Sequence, residues 1–155
     1  MSATPIQEND KANTVTIAAK IITTAELDLQ PPAIVPAGPA GTRVIVPIKG
    51  KLYGPGINGT VLSPSADWIT VGPDASIANL DVRLIVRTDS GETILQHVVG
   101  RSVRDKDDLT NSVIRCFATY EASAGGKYEH LNSKAFLGHG TKCGNKIKVV
   151  YYDTS

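Results

Sequence analysis

The sequence predicts an all-β protein: a single antiparallel β-barrel of about eight or nine strands, with a central cavity and at most one short helix. Three observations carry this expectation. Short segments of alternating apolar and polar residues recur along the chain, separated by clusters of Gly, Pro, Asn, Asp and Ser. Almost no stretch carries a helical period. The most regular segment, residues 79–88 (N-L-D-V-R-L-I-V-R-T), has one face apolar from Leu80 to Val86 and one largely polar face. A barrel of about eight strands can turn such faces in and out and still enclose one small ligand.

In that segment Leu80, Val82, Leu84 and Val86 share a face, opposite Asp81, Arg83, Ile85 and Arg87. Burying the four apolar side chains contributes roughly 6–12 kcal/mol as an upper bound. The polar face is either wet surface or the wall of a polar lumen.

Taken in order, residues 1–12 are polar and mixed in charge, without the basic start and apolar middle of a secretory signal. They are expected to be flexible, leaving residues 13–155 as the barrel domain and the protein in the cytoplasm. In residues 14–21, Val15, Ile17, Ala19 and Ile21 alternate with Thr14, Thr16, Ala18 and Lys20, a half-buried strand. The pattern blurs over 22–29, which predicts a bulge or bend. Pro31, Pro32, Pro36 and Pro39 make 30–41 an extended connection. Residues 42–53 read as a strand, with Pro47 at a bulge or local edge and Gly50 at a bend.

Gly54-Pro55-Gly56 is a turn, 57–62 a strand, Ser63-Pro64-Ser65 a turn, 66–71 a short strand and Gly72-Pro73-Asp74 a turn. The organising strand, from about residue 76 to 88, ends in an Asp89-Ser90-Gly91 hairpin. Residues 92–101 pair back with both faces mixed, so their inward face is left open. Residues 104–111 are the one helical candidate, because Asp105, Asp107 and Asp108 suit a helix N-terminus. Residues 113–121 are a strand with Ile114, Cys116, Ala118 and Tyr120 on one side. Residues 128–137 are extended, Gly138-His139-Gly140 breaks them, and 146–152 form the last strand.

The chain has 155 residues, enough for one domain with a core. Sixteen basic against fifteen acidic residues give +1. No block of like charge and no basic run interleaved with aromatics indicates a nucleic-acid groove, and no apolar run is long enough to span a membrane. Cys116 and Cys143 fit no zinc spacing and read as two unpaired thiols, with a disulfide or a reactive thiol as alternatives. His130 and His139 lie in or beside loops, with no second ligand at fixed spacing, so no metal site is expected. Asn58-Gly59-Thr60 matches a glycosylation sequon, read as chance without a secretory signal. No G-x-S-x-G elbow, phosphate loop, HExxH or CxxC is present, and no cofactor motif.

Four motifs occur in order: V-P-I-K-G-K-L-Y-G-P-G-I-N-G-T-V-L at 46–62, S-A-D-W at 65–68, L-D-V-R-L-I-V-R-T-D-S-G at 80–91, and Y-E-H-L-N-S-K-A-F-L-G-H-G at 128–140 before a closing V-V-Y-Y strand. With these the chain resembles the domain-of-unknown-function 3237 family over roughly residues 14–152. The resemblance implies a small antiparallel barrel similar to lipocalin-like and allene-oxide-cyclase-like barrels. It implies little about reaction, beyond a fold-level analogy to barrels that cyclise or isomerise natural products.

Candidate site residues follow from chemistry and placement. Asp67 suits an acid or base at a barrel mouth and Trp68 a platform for a flat substrate; alternatively Asp67 caps a turn and Trp68 plugs the barrel end. Arg83 and Arg87 suit a carboxylate or a developing enolate oxygen, with Asp81 on the same face as a further substrate contact or as their salt-bridge partner. His97 is a candidate proton shuttle, and Tyr120 and Tyr53 candidate substrate contacts, each with a purely structural alternative. The resulting expectation is a cofactor-free enzyme acting on a small organic molecule by isomerisation, cyclisation or elimination. Asp67 or His97 would move a proton, and Arg83 or Arg87 would stabilise charge. A non-catalytic small-molecule carrier or sensor is the alternative, and a barrel filled by its own side chains a third reading. A homo-oligomer is plausible because apolar residues fall on both strand faces.

Overall fold

The strand Asn111–Glu121 alternates exposed and buried residues without interruption, placing Ile114, Cys116, Ala118 and Tyr120 inside. The same period-two alternation orients Ile77–Thr88 and Thr93–Val103. The computed structural model describes residues 7–9, 13–105, 107–108 and 110–155. Their strands are β1 (Gln7–Asn9), β2 (Thr14–Thr16), β3 (Lys20–Leu29), β4 (Ala33–Gly38), β5 (Gly41–Tyr53), β6 (Gly59–Val71), β7 (Ile77–Thr88), β8 (Thr93–Val103), β9 (Asn111–Glu121), β10 (Phe136–Cys143) and β11 (Lys146–Asp153). A 3-10 turn at Glu129–Ser133 is the helical element among the described residues. No helix among the described residues is long and apolar enough to cross a membrane.

Strands β5 to β11 run as consecutive antiparallel neighbours, and β11 then pairs with β3. Thr24–Leu29 of β3 ladders onto Ile48–Tyr53 of β5, which closes an eight-stranded barrel. Strand β4 lies outside the closure, paired with the first half of β5. Strands β1 and β2 form a separate two-stranded ribbon. The segment expected to be flexible, residues 1–12, lies outside the described residues except for β1.

The organising strand faces as its pattern predicts, with Val82, Leu84 and Val86 buried and Arg83 and Arg87 exposed. Its partner β8 turns Ile94, Gln96 and Val98 inward and Leu95, His97 and Val99 outward. The hairpin at Asp89-Ser90-Gly91 forms as expected, with Gly91 at φ +89° and its N–H donating to Thr88 O. One barrel end is filled by Ile57, Tyr128 and Leu131, all buried, and the Tyr120 ring meets Phe136 edge-on at 5.3 Å.

Four local expectations are corrected. The two strands expected around Ser63-Pro64-Ser65 are one strand, β6, and the register shift against β7 between Leu62 and Ala66 is a bulge rather than a turn. Ser65 Oγ donates to Leu62 O and accepts from Ile85 N–H, replacing ladder bonds that the bulge removes. The helix expected over 104–111 does not form among its described residues. Asp105 and Asp108 accept from backbone N–H groups two residues on, and such turns compete with helix initiation.

Gly138-His139-Gly140 lies inside β10 rather than breaking it. A Cβ at Gly140 would press on Lys148 O and stand 2.8 Å from Val149 Cα, so glycine there serves close strand approach. Finally, Val15, Ile17 and Ile21 are exposed, not half-buried. The register against β11 places Ile21 opposite Tyr152 and Thr23 opposite Tyr151, so Ile22 is an extra residue. That bulge lets Thr23, Ala25 and Leu27 face inward.

Substituting Gly140→Ala tests the tight β10–β11 approach. Urea unfolding is expected to show a loss of about 1–3 kcal/mol, the usual cost of overpacking. A loss below about 0.5 kcal/mol, the range of a neutral surface change, would contradict the tight packing.

Candidate functional site

A cavity of about 260 Å³ lies inside the barrel, at the end opposite the Leu131 plug. It falls near the lower end of ligand-sized pockets, roughly 300–1,000 Å³, and so suits a small molecule. Its walls are largely aliphatic, with Ile48, Val82, Ile114 and Val149 among them. The polar groups on the wall are few: Asp67, Cys116 and Tyr151, then Ser76, Ser102, Arg104, Ser112 and Lys142.

Asp67 reaches this position because β6 regains its inward phase after the bulge at 62–66. It is 4 % exposed, and its Oδ1 accepts the Asp81 backbone N–H at 3.0 Å. Burial in apolar surroundings pushes its pKa up to about 7; the Asp81 amide opposes that rise and the Asp81 charge adds to it. A carboxyl with this value can hold or release a proton near neutrality. Burial likewise pushes the Cys116 thiol up to about 11, and the fully buried Tyr151 phenol well above its ordinary value. Both therefore stay protonated near neutral pH, and the Tyr151 phenol on the cavity wall is hydrogen-bonded to the Cys116 thiol.

The other nominated residues fall elsewhere. Tyr120 is buried and accepts from Gln96 Nε2 at 2.7 Å, in the core beyond the cavity lining. Asp81, Arg83 and His97 come together on the outer surface. Asp81 Oδ1 lies 2.8 Å from His97 Nε2 and accepts from Arg83 Nε at 3.4 Å. Burial works to raise the Asp81 pKa, but the His97 and Arg83 bonds outweigh it and the net shift is downward. Arg87 Nε donates to Thr93 Oγ1, and Tyr53 OH donates to Glu26 Oε1, both on the outside. Trp68 is 40 % exposed, opposite Ile45, beside a shallow outer groove bordered by Val35, Arg43 and Arg83.

Four of the nominated residues thus meet around position 81, but on two sides of the wall. The amide of Asp81 points in to Asp67, while its carboxylate points out to His97 and Arg83.

Sequence reasoning gave no role to Tyr151, Arg104 or Lys142. The signal for Lys142 was parity: it shares the inward rank of β10 with Phe136, Gly138 and Gly140. A strand read as broken at 138–140 hides that rank. Cys116 and Cys143 are free, buried and exposed respectively. Among the described residues, no three His, Cys, Asp or Glu side chains cluster to hold a metal ion.

The family model described as "Protein of unknown function (DUF3237)" matches residues 17–155. No curated protein matches the chain. Among solved structures, a beta-barrel like protein from Acinetobacter baumannii AYE is 24 % identical, with 92 % of this chain and 99 % of that one aligned at a TM-score of 0.79. A conserved protein of unknown function from Rhodopseudomonas palustris is 20 % identical, covering 90 % of this chain and 99 % of that one at 0.80. A protein described as an enzyme from Penicillium herquei is 20 % identical, covering 88 % and 95 % at 0.62. At these identities the likeness is one of fold.

The raised pKa of Asp67 sets a stability profile. Between its ordinary value near 4 and about 7, the folded state holds a proton that the unfolded state has released. The stabilisation is therefore complete below about pH 4 and is lost as pH rises through 7. Asp67→Asn removes this dependence while keeping an acceptor for the Asp81 amide. From pH 5 to pH 8 the wild type is expected to lose about 2–3 kcal/mol more stability than the variant. Parallel profiles for the two proteins in urea unfolding would place the Asp67 pKa near its ordinary value.

Proposed function

The chain belongs to the DUF3237 family, and from that premise we propose that its barrel is a cofactor-free enzyme for a small, largely apolar organic molecule. The reaction is an isomerisation, cyclisation or elimination, and Asp67 moves the proton. The observation that carries this reading is a nearly inaccessible carboxyl on a largely aliphatic cavity wall, with a pKa near 7. A carrier needs no titratable group there, and burying one costs stability. The likeness in fold to a barrel described as an enzyme supports the same direction.

In the acid form Asp67 delivers its proton to an unsaturated carbon or a leaving oxygen. The carboxylate so formed then removes a proton elsewhere on the substrate. Protons and electrons balance without an added reactant, as isomerisation, cyclisation and elimination require. The Tyr151 phenol, held neutral, donates to an oxygen that gains negative charge, the role first expected of Arg83 or Arg87. The enclosing wall keeps water out and limits the conformers the substrate can adopt. Arg83, Arg87 and His97 lie beyond the wall and act, at most, on its outer face. Self-association would use the outer face of β8 and β9, where Leu95, Val99, Val103, Val113 and Phe117 are each about half exposed.

The test begins with native mass spectrometry of protein from its own cells, to identify any molecule bound in the lumen. Wild type is then given that molecule's precursor. Turnover is expected, reduced about 10²–10⁴-fold by Asp67→Asn and changed less than about twofold by Arg87→Ala, within the small effect of a surface residue. Recovery of unchanged ligand with no turnover would instead make the barrel a carrier. Equal turnover by wild type and Asp67→Asn would remove Asp67 from the mechanism.

A further inference from the structure

The open end of the cavity differs from its depth. Lys142 is the last inward residue of β10, opposite Ser112 and Ile147, and all three line the cavity. Arg104 continues the inward rank of β8 after Val98, Gly100 and Ser102. Its backbone N–H donates to Ser76 O at 2.9 Å and its Nε to Ala75 O, which fixes the side chain at the rim. Two cations and the hydroxyls of Ser76, Ser102 and Ser112 therefore border one end of an apolar cavity.

Three acids of the adjoining loops accept hydrogen bonds within those loops. Asp74 accepts from Ser76, Asp105 from the Asp107 amide, and Asp108 from Thr110 and Asn111. Among the described residues no acidic side chain forms an ion pair with Lys142. Among the described residues Asp67 is the one acid on the cavity wall, and it lies deeper than the rim. It is opposite Val82, which is opposite Val98, six residues along β8 from Arg104. Six residues are about 20 Å of strand. The stretch between is lined by Ala78, Leu80, Ile114 and Val149.

We infer that the substrate is an amphipathic monocarboxylate, bound with its carboxylate at the rim against Lys142 and Arg104 and its apolar body directed down the lumen toward Asp67. This rests on the reading of the lumen as the substrate site and names the class of molecule that fills it. The chemistry follows from complementarity. A cation bordering an apolar cavity is best satisfied by an anion that brings its own apolar body. Lys142 supplies a point charge on a flexible stem, Arg104 a planar fork, and the serines neutral donors to the remaining carboxylate lone pairs. One carboxylate uses these donors without calling on the acid in the depth.

The experiment compares octanoate with 1-octanol, which differ only in the head group, by isothermal titration calorimetry on the full chain at pH 8 and low salt. Octanoate is expected to bind about tenfold or more tightly than the alcohol, as charge-assisted bonds to a rim cation require. Lys142→Met and Arg104→Gln should each remove most of that preference, leaving 1-octanol within about threefold of its wild-type affinity. Ala78→Phe, which fills the lumen, should abolish binding of both.

Equal affinity for acid and alcohol in the wild type overturns the rim assignment while leaving the lumen reading intact. A carboxylate preference that survives both rim variants also overturns it, as does octanoate binding unaffected by Ala78→Phe. Failure of both probes to bind the wild type overturns the assignment and the lumen reading together.

Discussion

Everything inside this protein depends on one seam. The barrel exists because Thr24–Leu29 of β3 ladders onto Ile48–Tyr53 of β5, joining the first long strand to the far side of the meander. Without that pairing β3 and β5 would be open edges, and the aliphatic ranks of β6 to β11 would face water. The seam needs close approach at Gly50, where a Cβ would press on the Glu26 carbonyl. Gly50 also takes φ +146°, beside the register shift that begins at Pro47. Pro47 and Gly50 thus bend β5, so that its first half holds β4 and its second half holds β3.

Closure has an electrostatic consequence. Sealing the wall takes the Asp67 carboxyl out of water, and the desolvation is met by one backbone N–H, that of Asp81. A single neutral donor stabilises the carboxylate less than water does, so the proton is held near neutrality. The same residue 81 carries its own carboxylate on the outside, where His97 and Arg83 hold it ionised. Two aspartates joined by one hydrogen bond are driven in opposite directions by the side of the wall they occupy.

Most of the barrel was legible in the sequence, because alternation and turn chemistry are local. The organising strand, the 89–91 hairpin and the inward face of β9 follow from residues within a few positions of one another. The errors arose where a distant strand decides the outcome. Gly138 and Gly140 resemble a turn in isolation, yet they sit inside a strand because Tyr151, Cys116 and the backbone of β11 fill their space. The inward phase of β3 is set by a bulge against β11, more than a hundred residues away in sequence. The candidate site was less legible for the same reason. Arginine and histidine at alternating positions show that a face is polar, but not which side of a closed wall it occupies. Asp67 could be singled out for its chemistry, whereas Lys142 and Arg104 join the cavity lining only when the strand ends are brought to one rim.

Closure holds the Asp67 carboxyl protonated up to neutrality inside the lumen. The measurement that bears on it most directly is a pH titration of the side-chain carboxyl resonance of Asp67 by ¹³C NMR, assigned by comparison with Asp67→Asn. The expected midpoint is near 7. A midpoint near 4, the value of a carboxyl in water, would mean that the cavity is wet and that Asp67 is an ordinary surface-like acid.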